Sequence, residues 1–90
     1  MERGTSRRLK IAIVGNLVDT VTSLSNYLEA KGFTTVWAYN GRDAVVLCNK
    51  EQPDLLIIDV KLDLINGFDV AHLLPNQKIL FMAVCHLSFC

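Results

Sequence analysis

Asp59 closes the apolar run Leu55-Leu56-Ile57-Ile58. A carboxylate there either does chemistry or is a strand-end acid satisfied by water and loop amides. Gly15 and Asn16 follow a second apolar run, Ile11 to Val14, and would join Asp59 if the two runs lay side by side. Asp63 stands in the segment after Asp59, and Gly67 lies eight residues on. Cys85-His86 is the other pair of residue types that could hold a metal or form a nucleophile with its base. Neighbours on a strand point to opposite faces, however, and no third ligand is at hand. Cys48, Cys85 and Cys90 fit neither CxxC nor zinc spacing. With no paired carboxylates and no nucleophile–base pair, the chain is not read as an independent catalyst. A nucleotide-binding enzyme of Rossmann type is the weakest alternative, since one glycine after the first run is neither GxGxxG nor a P-loop.

The elements that must position these residues alternate. Leu9 to Val14 is a continuous apolar run, as expected of a strand covered on both faces. Asp19 or Thr20 is expected to cap a helix reaching about Lys31, with Val21, Leu24 and Leu28 on its inner face and Gly32 as its stop. The β-branched and aromatic stretch Phe33 to Tyr39 predicts a second strand, in which Trp37 and Tyr39 serve as packing. Asn40-Gly41 is a turn signal. A second helix is expected from about Arg42 to Glu51, with Ala44, Leu47 and Cys48 inward and Pro53 ending it. Leu55 to Asp59 is the third strand. A short helix from Gly67 or Phe68 to Pro75 carries Val70, Leu73 and Leu74 inward and His72 outward, and Lys78 to Val84 is the fourth strand. Strict strand–helix alternation with short connections implies an α/β fold, a doubly wound parallel sheet with helices on both faces. Function in such sheets gathers outside the carboxyl ends of the strands, where strand order reverses. That rule gives Asp59 its interest.

The chain has 90 residues with nine basic and nine acidic side chains, and 51% are apolar. One small domain is all this length supports. The even charge argues against a nucleic-acid-binding surface. The apolar fraction argues against disorder, and no run nears the roughly 20 residues that cross a bilayer. Residues 1–8 read as a loose leader and 9–90 as the domain; a cytoplasmic protein with no membrane role is expected.

From about Leu9 to about Val84 the sequence resembles the receiver domain of bacterial two-component response regulators, which has a flavodoxin-like fold. The resemblance rests on Leu9–Asn16, on Leu24–Leu47 and above all on Gln52–Leu74, with Lys78–Val84 similar to the family's fourth strand. It places Asp59 on the phospho-accepting aspartate and Gly67 on the family's loop glycine. It implies acyl-phosphate chemistry, a sensor histidine kinase or another signalling protein as partner, and Mg2+ held by an acidic pair, the acceptor and a backbone carbonyl, here that of Lys61. That ion offsets the repulsion between carboxylate and phosphoryl group.

Four departures from the family follow. The acidic pair is replaced by Gly15, which offers no ligand, and Asn16, which offers a neutral amide oxygen. The usual loop proline is Asp63. The phosphoryl-sensing hydroxyl is Ala83. The sequence stops at Cys90, so the last helices, the fifth strand and the family's phosphoryl-pairing lysine do not follow the fourth strand. Mg2+ is therefore expected to bind weakly, and a phosphoryl group would have little to pull on. The leading expectation is a receiver-like domain acting by protein–protein contact with weak or no phosphorylation. The competing one is a working phosphoprotein in which Asn16, Asp59 and the Lys61 carbonyl hold the metal. Asp19 and Asp63 are read as a helix cap and a solvated acid. Lys61 is read as a solvated loop cation, with an ammonium placed near Asp59 and keeping it ionised as the alternative. Gly67 is read as a turn residue with positive φ. An apolar fourth strand without edge-protecting charges invites self-association.

Overall fold

Four runs of mostly β-branched and aliphatic residues form the strands, and the segments between them carry the helices. The computed structural model describes residues 8–62 and 65–83. In chain order the elements are β1 (Lys10–Val14), α1 (Val18–Ala30), β2 (Thr34–Ala38), α2 (Gly41–Glu51), β3 (Leu55–Asp59), α3 (Gly67–Leu73) and β4 (Ile79–Met82). The sheet is parallel with strand order β2-β1-β3-β4. Strand order reverses between β1 and β3, so the expected doubly wound α/β sheet is present through its fourth strand.

Alternation along each strand feeds two cores. Ala12, Val14, Leu56 and Ile58 pack with Ala44, Cys48, Val70 and Leu74 beneath α2 and α3. Ile11, Ile13 and Ile57 pack with Val21 beneath α1, where Leu24 and Leu28 join them. Fully buried aliphatic side chains such as Ile13, Leu56 and Ile58 each contribute about 1.5–3 kcal/mol of transfer free energy. This two-sided burial is why the strands read as continuous apolar runs.

The helix boundaries correct several expectations. α1 begins after Leu17, which makes no side-chain cap bond, and Asp19 lies inside its first turn. Asp19 therefore acts on the helix dipole rather than as the cap. Both Asn-Gly pairs start helices instead of forming turns. Asn40 accepts from the Asp43 backbone N–H at 2.8 Å, and Asn66 accepts from that of Asp69 at 2.9 Å. Gly41 and Gly67 are the first residues of α2 and α3. A Cβ on Gly41 would overlap the Ile65 side chain, and one on Gly67 would lie 2.7 Å from the Asp59 carbonyl oxygen. Both glycines are thus required by close approach. Positive φ is found at Gly32 (+99°), the stop of α1, and at Gln52 (+49°), the left-handed end of α2. α3 ends at Leu73, which is exposed, so its inner face is Val70 and Leu74 without Leu73. His72 is exposed, as expected. β4 is an outer strand of the described sheet, with Leu80 and Phe81 exposed. The Phe81 ring lies 4.9 Å from that of Phe68. Residues 1–7 of the expected leader, Asp63, Cys85, His86 and Cys90 lie outside the described residues.

Candidate functional site

Parallel register decides who sits beside Asp59. β1 and β3 pair Val14 with Ile58, so Gly15 stands next to Asp59 one step on, and Asp59 in turn pairs with Met82 of β4. Residues paired in this way point to the same face. The strand ends therefore align Gly15, Asp59 and Met82 on the α1 side of the sheet. The sequence brings Gly15 and Asp59 together as expected. Met82 could not be foreseen, because the register of β4 is written in no local motif.

Asp59 is 5% exposed. Its Oδ1 accepts the Lys61 backbone N–H at 3.0 Å. The Lys61 side chain is exposed, and Lys10 forms an ion pair with Glu51 at 2.9 Å. The exposed side chain agrees with the solvated loop cation, and the hydrogen bond from Lys61 to the Asp59 carboxylate comes from its backbone amide. The segment is pinned behind Asp59: Val60 donates to the Met82 carbonyl at 3.0 Å, and Gly67 donates to the Val60 carbonyl at 2.9 Å.

Gly15 is buried beside Asp59, and Asn16 is exposed. A Cβ placed on Gly15 would lie 3.9 Å from the Asp59 Cβ, 3.4 Å from Val21 Cγ2 and 3.6 Å from Met82 Cε. These are close to ordinary van der Waals separations. A Cβ would fit there, beside that of Asp59. Ala83 follows β4, is exposed and brings no hydroxyl. Mg2+ asks for near-octahedral oxygen ligands, usually with one or two carboxylates. The described residues bring one buried carboxylate to the site, and no group of three or more His, Cys, Asp or Glu side chains able to hold a metal occurs among them. One carboxylate is the lower end of what that ion uses. Cys48 offers no nucleophile either, since burial pushes its thiol up to about 11.

The family model for the response regulator receiver domain matches residues 11–88. The chain is 35% identical over 72 residues to the alkaline phosphatase synthesis transcriptional regulatory protein PhoP of Bacillus subtilis, covering 80% of this chain and 30% of that protein. It is 32% identical over 71 residues to sporulation initiation phosphotransferase F of the same organism, covering 79% and 55%. The chain therefore spans between about a third and just over half the length of these relatives. The chemotaxis response regulator CheY4 of Vibrio cholerae superposes with a TM-score of 0.77 at 22% identity, covering 83% of this chain and 68% of that one. No helix among the described residues is long and apolar enough to cross a membrane. The chain belongs to the response regulator receiver domain family, the signalling modules of two-component systems.

Proposed function

We propose that this receiver domain signals by contact with a partner protein, with weak or no phosphorylation of Asp59. The observation that carries this reading is the bare Gly15 beside Asp59, where a Cβ would fit and no side chain is present. Phosphoryl transfer to a carboxylate brings two anions together, and its catalysis consists almost entirely of positioning and of offsetting that charge. Among the described residues, the hydrogen bond that reaches the Asp59 carboxylate is a single backbone N–H. Modification would also find no hydroxyl at Ala83 to draw inward. A switch needs contacts that differ between its two states. The partner is a sensor histidine kinase or another signalling protein, and self-association through the outer edge of β4 is the competing mode.

The test is intact-mass spectrometry after incubation with acetyl phosphate and Mg2+, on a sample shown to be folded by circular dichroism, with Asp59→Ala as control. The expected result is no phosphoryl adduct, or a trace. A substantial adduct on the native chain that disappears in Asp59→Ala would overturn the proposal. It would establish the working acceptor built on Asn16, Asp59 and the Lys61 carbonyl.

A further inference from the structure

Ile79, Leu80, Phe81 and Met82 make β4 apolar at every position. The backbone decides which of them face outward. Leu56 N–H donates to the Lys78 carbonyl at 2.9 Å, and Val60 N–H donates to that of Met82 at 3.0 Å. Lys78 and Met82, and with them Leu80, therefore turn their backbone groups toward β3. Backbone direction alternates along a strand, so the N–H and C=O groups of Ile79 and Phe81 point away from the sheet. Among the described residues no strand pairs with that side. An open edge of this kind is a template for another strand.

The side chains flanking the edge divide between the two sheet faces. Phe81 is in register with Ile58 on the face covered by α2 and α3, and its ring meets that of Phe68. Leu80 is in register with Ile57 on the α1 face. Phe68, Phe81 and Leu80 are 55%, 37% and 54% exposed. The other outer strand, β2, includes Thr34 and Thr35. Trp37 and Tyr39, expected as strand packing, are themselves exposed.

We propose that β4 pairs antiparallel with β4 of a second copy of this chain, the two Phe81 residues facing each other across the two-fold axis. Self-pairing must join outward-pointing residues to outward-pointing residues. An axis at Phe81 does so, and it keeps every side chain on the matching face of the joined sheet. The two Phe68–Phe81 ring pairs then meet on one face, and each Leu80 meets the other copy's Met82 on the opposite face. Charge selects a second copy. Ile79–Met82 carries none, so an oppositely charged partner gains nothing at this edge. Lys78 lies three residues from the axis, which sets the two Lys78 residues roughly 20 Å apart, beyond the Debye length. The chain balances nine basic against nine acidic side chains, and a net charge near zero favours association of like copies. The contact uses the same edge on both copies, so it closes as a dimer. The bare surface of Phe68, Phe81 and Leu80 is on the order of 200–300 Å² per copy. Stable interfaces bury about 800 Å² per partner, so the dimer is weak, with Kd on the order of 10–100 µM. The pairing rests on the contact reading above for its role in signalling but not for its existence. Its test contains no phosphoryl donor, so each can fail alone.

Sedimentation velocity of the full chain between about 5 and about 500 µM tests the pairing. The native chain is expected to move reversibly from monomer toward dimer. Leu80→Lys sets two ammonium groups diagonally across the axis, on positions about 7–8 Å apart, and should weaken the dimer about tenfold. Leu80 is exposed enough for the variant to fold, which far-UV circular dichroism checks. Leu80→Glu alone has the same effect. An equimolar mixture of the two variants regains association to within about threefold of the native chain, because opposite charges now meet. A chain that stays monomeric throughout, as when its own residues 84–90 take the edge, overturns the proposal. So does association that Leu80→Lys leaves unchanged, a mixture no better than either variant alone, or species that grow beyond the dimer.

Discussion

Replacing Gly67 separates two physical accounts of the same residue. If Gly67 served a turn with positive φ, asparagine, which tolerates that region, would be nearly neutral there and alanine costly. The structure gives a different constraint. Gly67 opens α3, and its missing Cβ would lie 2.7 Å from the Asp59 carbonyl oxygen and 3.2 Å from Val60 Cα. Both neighbours are backbone, and both are fixed by the bonds from Gly67 to Val60 and from Val60 to Met82. Relief requires the segment after Asp59 to move by about half an ångström or more, and overpacking of this kind costs about 1–3 kcal/mol. Alanine's advantage over glycine in a helix and in the unfolded chain returns at most about 1 kcal/mol. The net expectation for Gly67→Ala is a loss of about 1–2 kcal/mol, and Gly67→Asn loses at least as much. Urea unfolding followed by circular dichroism reads this directly. With a slope near 1 kcal/mol/M for a domain this small, the midpoint falls by about 1–2 M. An unchanged or raised midpoint for Gly67→Ala would refute the close-approach argument. A neutral Gly67→Asn beside a damaging Gly67→Ala would reinstate the turn.

Gly15→Asp tests the site itself. The new Cβ fits beside that of Asp59, so the variant folds but sets two carboxylates together, at a cost of about 1–3 kcal/mol at low salt. Added Mg2+ should recover that loss in a thermal melt, and the acetyl phosphate adduct should increase; neither change appearing would count against the role given to Gly15. Gln52 holds φ +49° at the end of α2, a region that costs a residue with a Cβ about 1–2 kcal/mol. Gln52→Gly should therefore raise stability by about 0.5–1 kcal/mol in the same urea assay. Glu51 accepts a hydrogen bond from Lys10 Nζ at 2.9 Å, and this partner holds its carboxyl below the ordinary value. A lowered folded-state pKa means that the pair's stabilisation is present above the unfolded pKa and is lost as pH falls through the folded one. The midpoint difference between the native chain and Glu51→Gln should therefore be largest near neutrality, shrink in acid below about 4.5, and diminish with salt.

The amino-acid sequence by itself determined the order and type of the elements. Apolar runs bounded by Gly, Pro and Asn state strand length directly, and Leu55–Asp59 was legible to the residue. Helical spacing likewise marked Val21, Ala44, Cys48 and Val70 as inward. It was less able to separate a turn from a helix start. Asn-Gly is a local signal shared by both, and what distinguished them at Gly41 and Gly67 was the close approach of Ile65 and of the Asp59 carbonyl. Those neighbours are distant in the chain or depend on how the intervening loop closes. Leu73 and the aromatic pair Trp37 and Tyr39 misled for a related reason: apolar character says that a side chain can be buried, not that an element arrives to cover it. Tertiary structure alone decided the company Asp59 keeps. Alternation of strands and helices left it a condition that β1 lies next to β3; the sheet order meets that condition, and the closeness of Gly15 to Asp59, Val21 and Met82 follows from register. Register is set by the summed packing of two sheet faces and by no single motif.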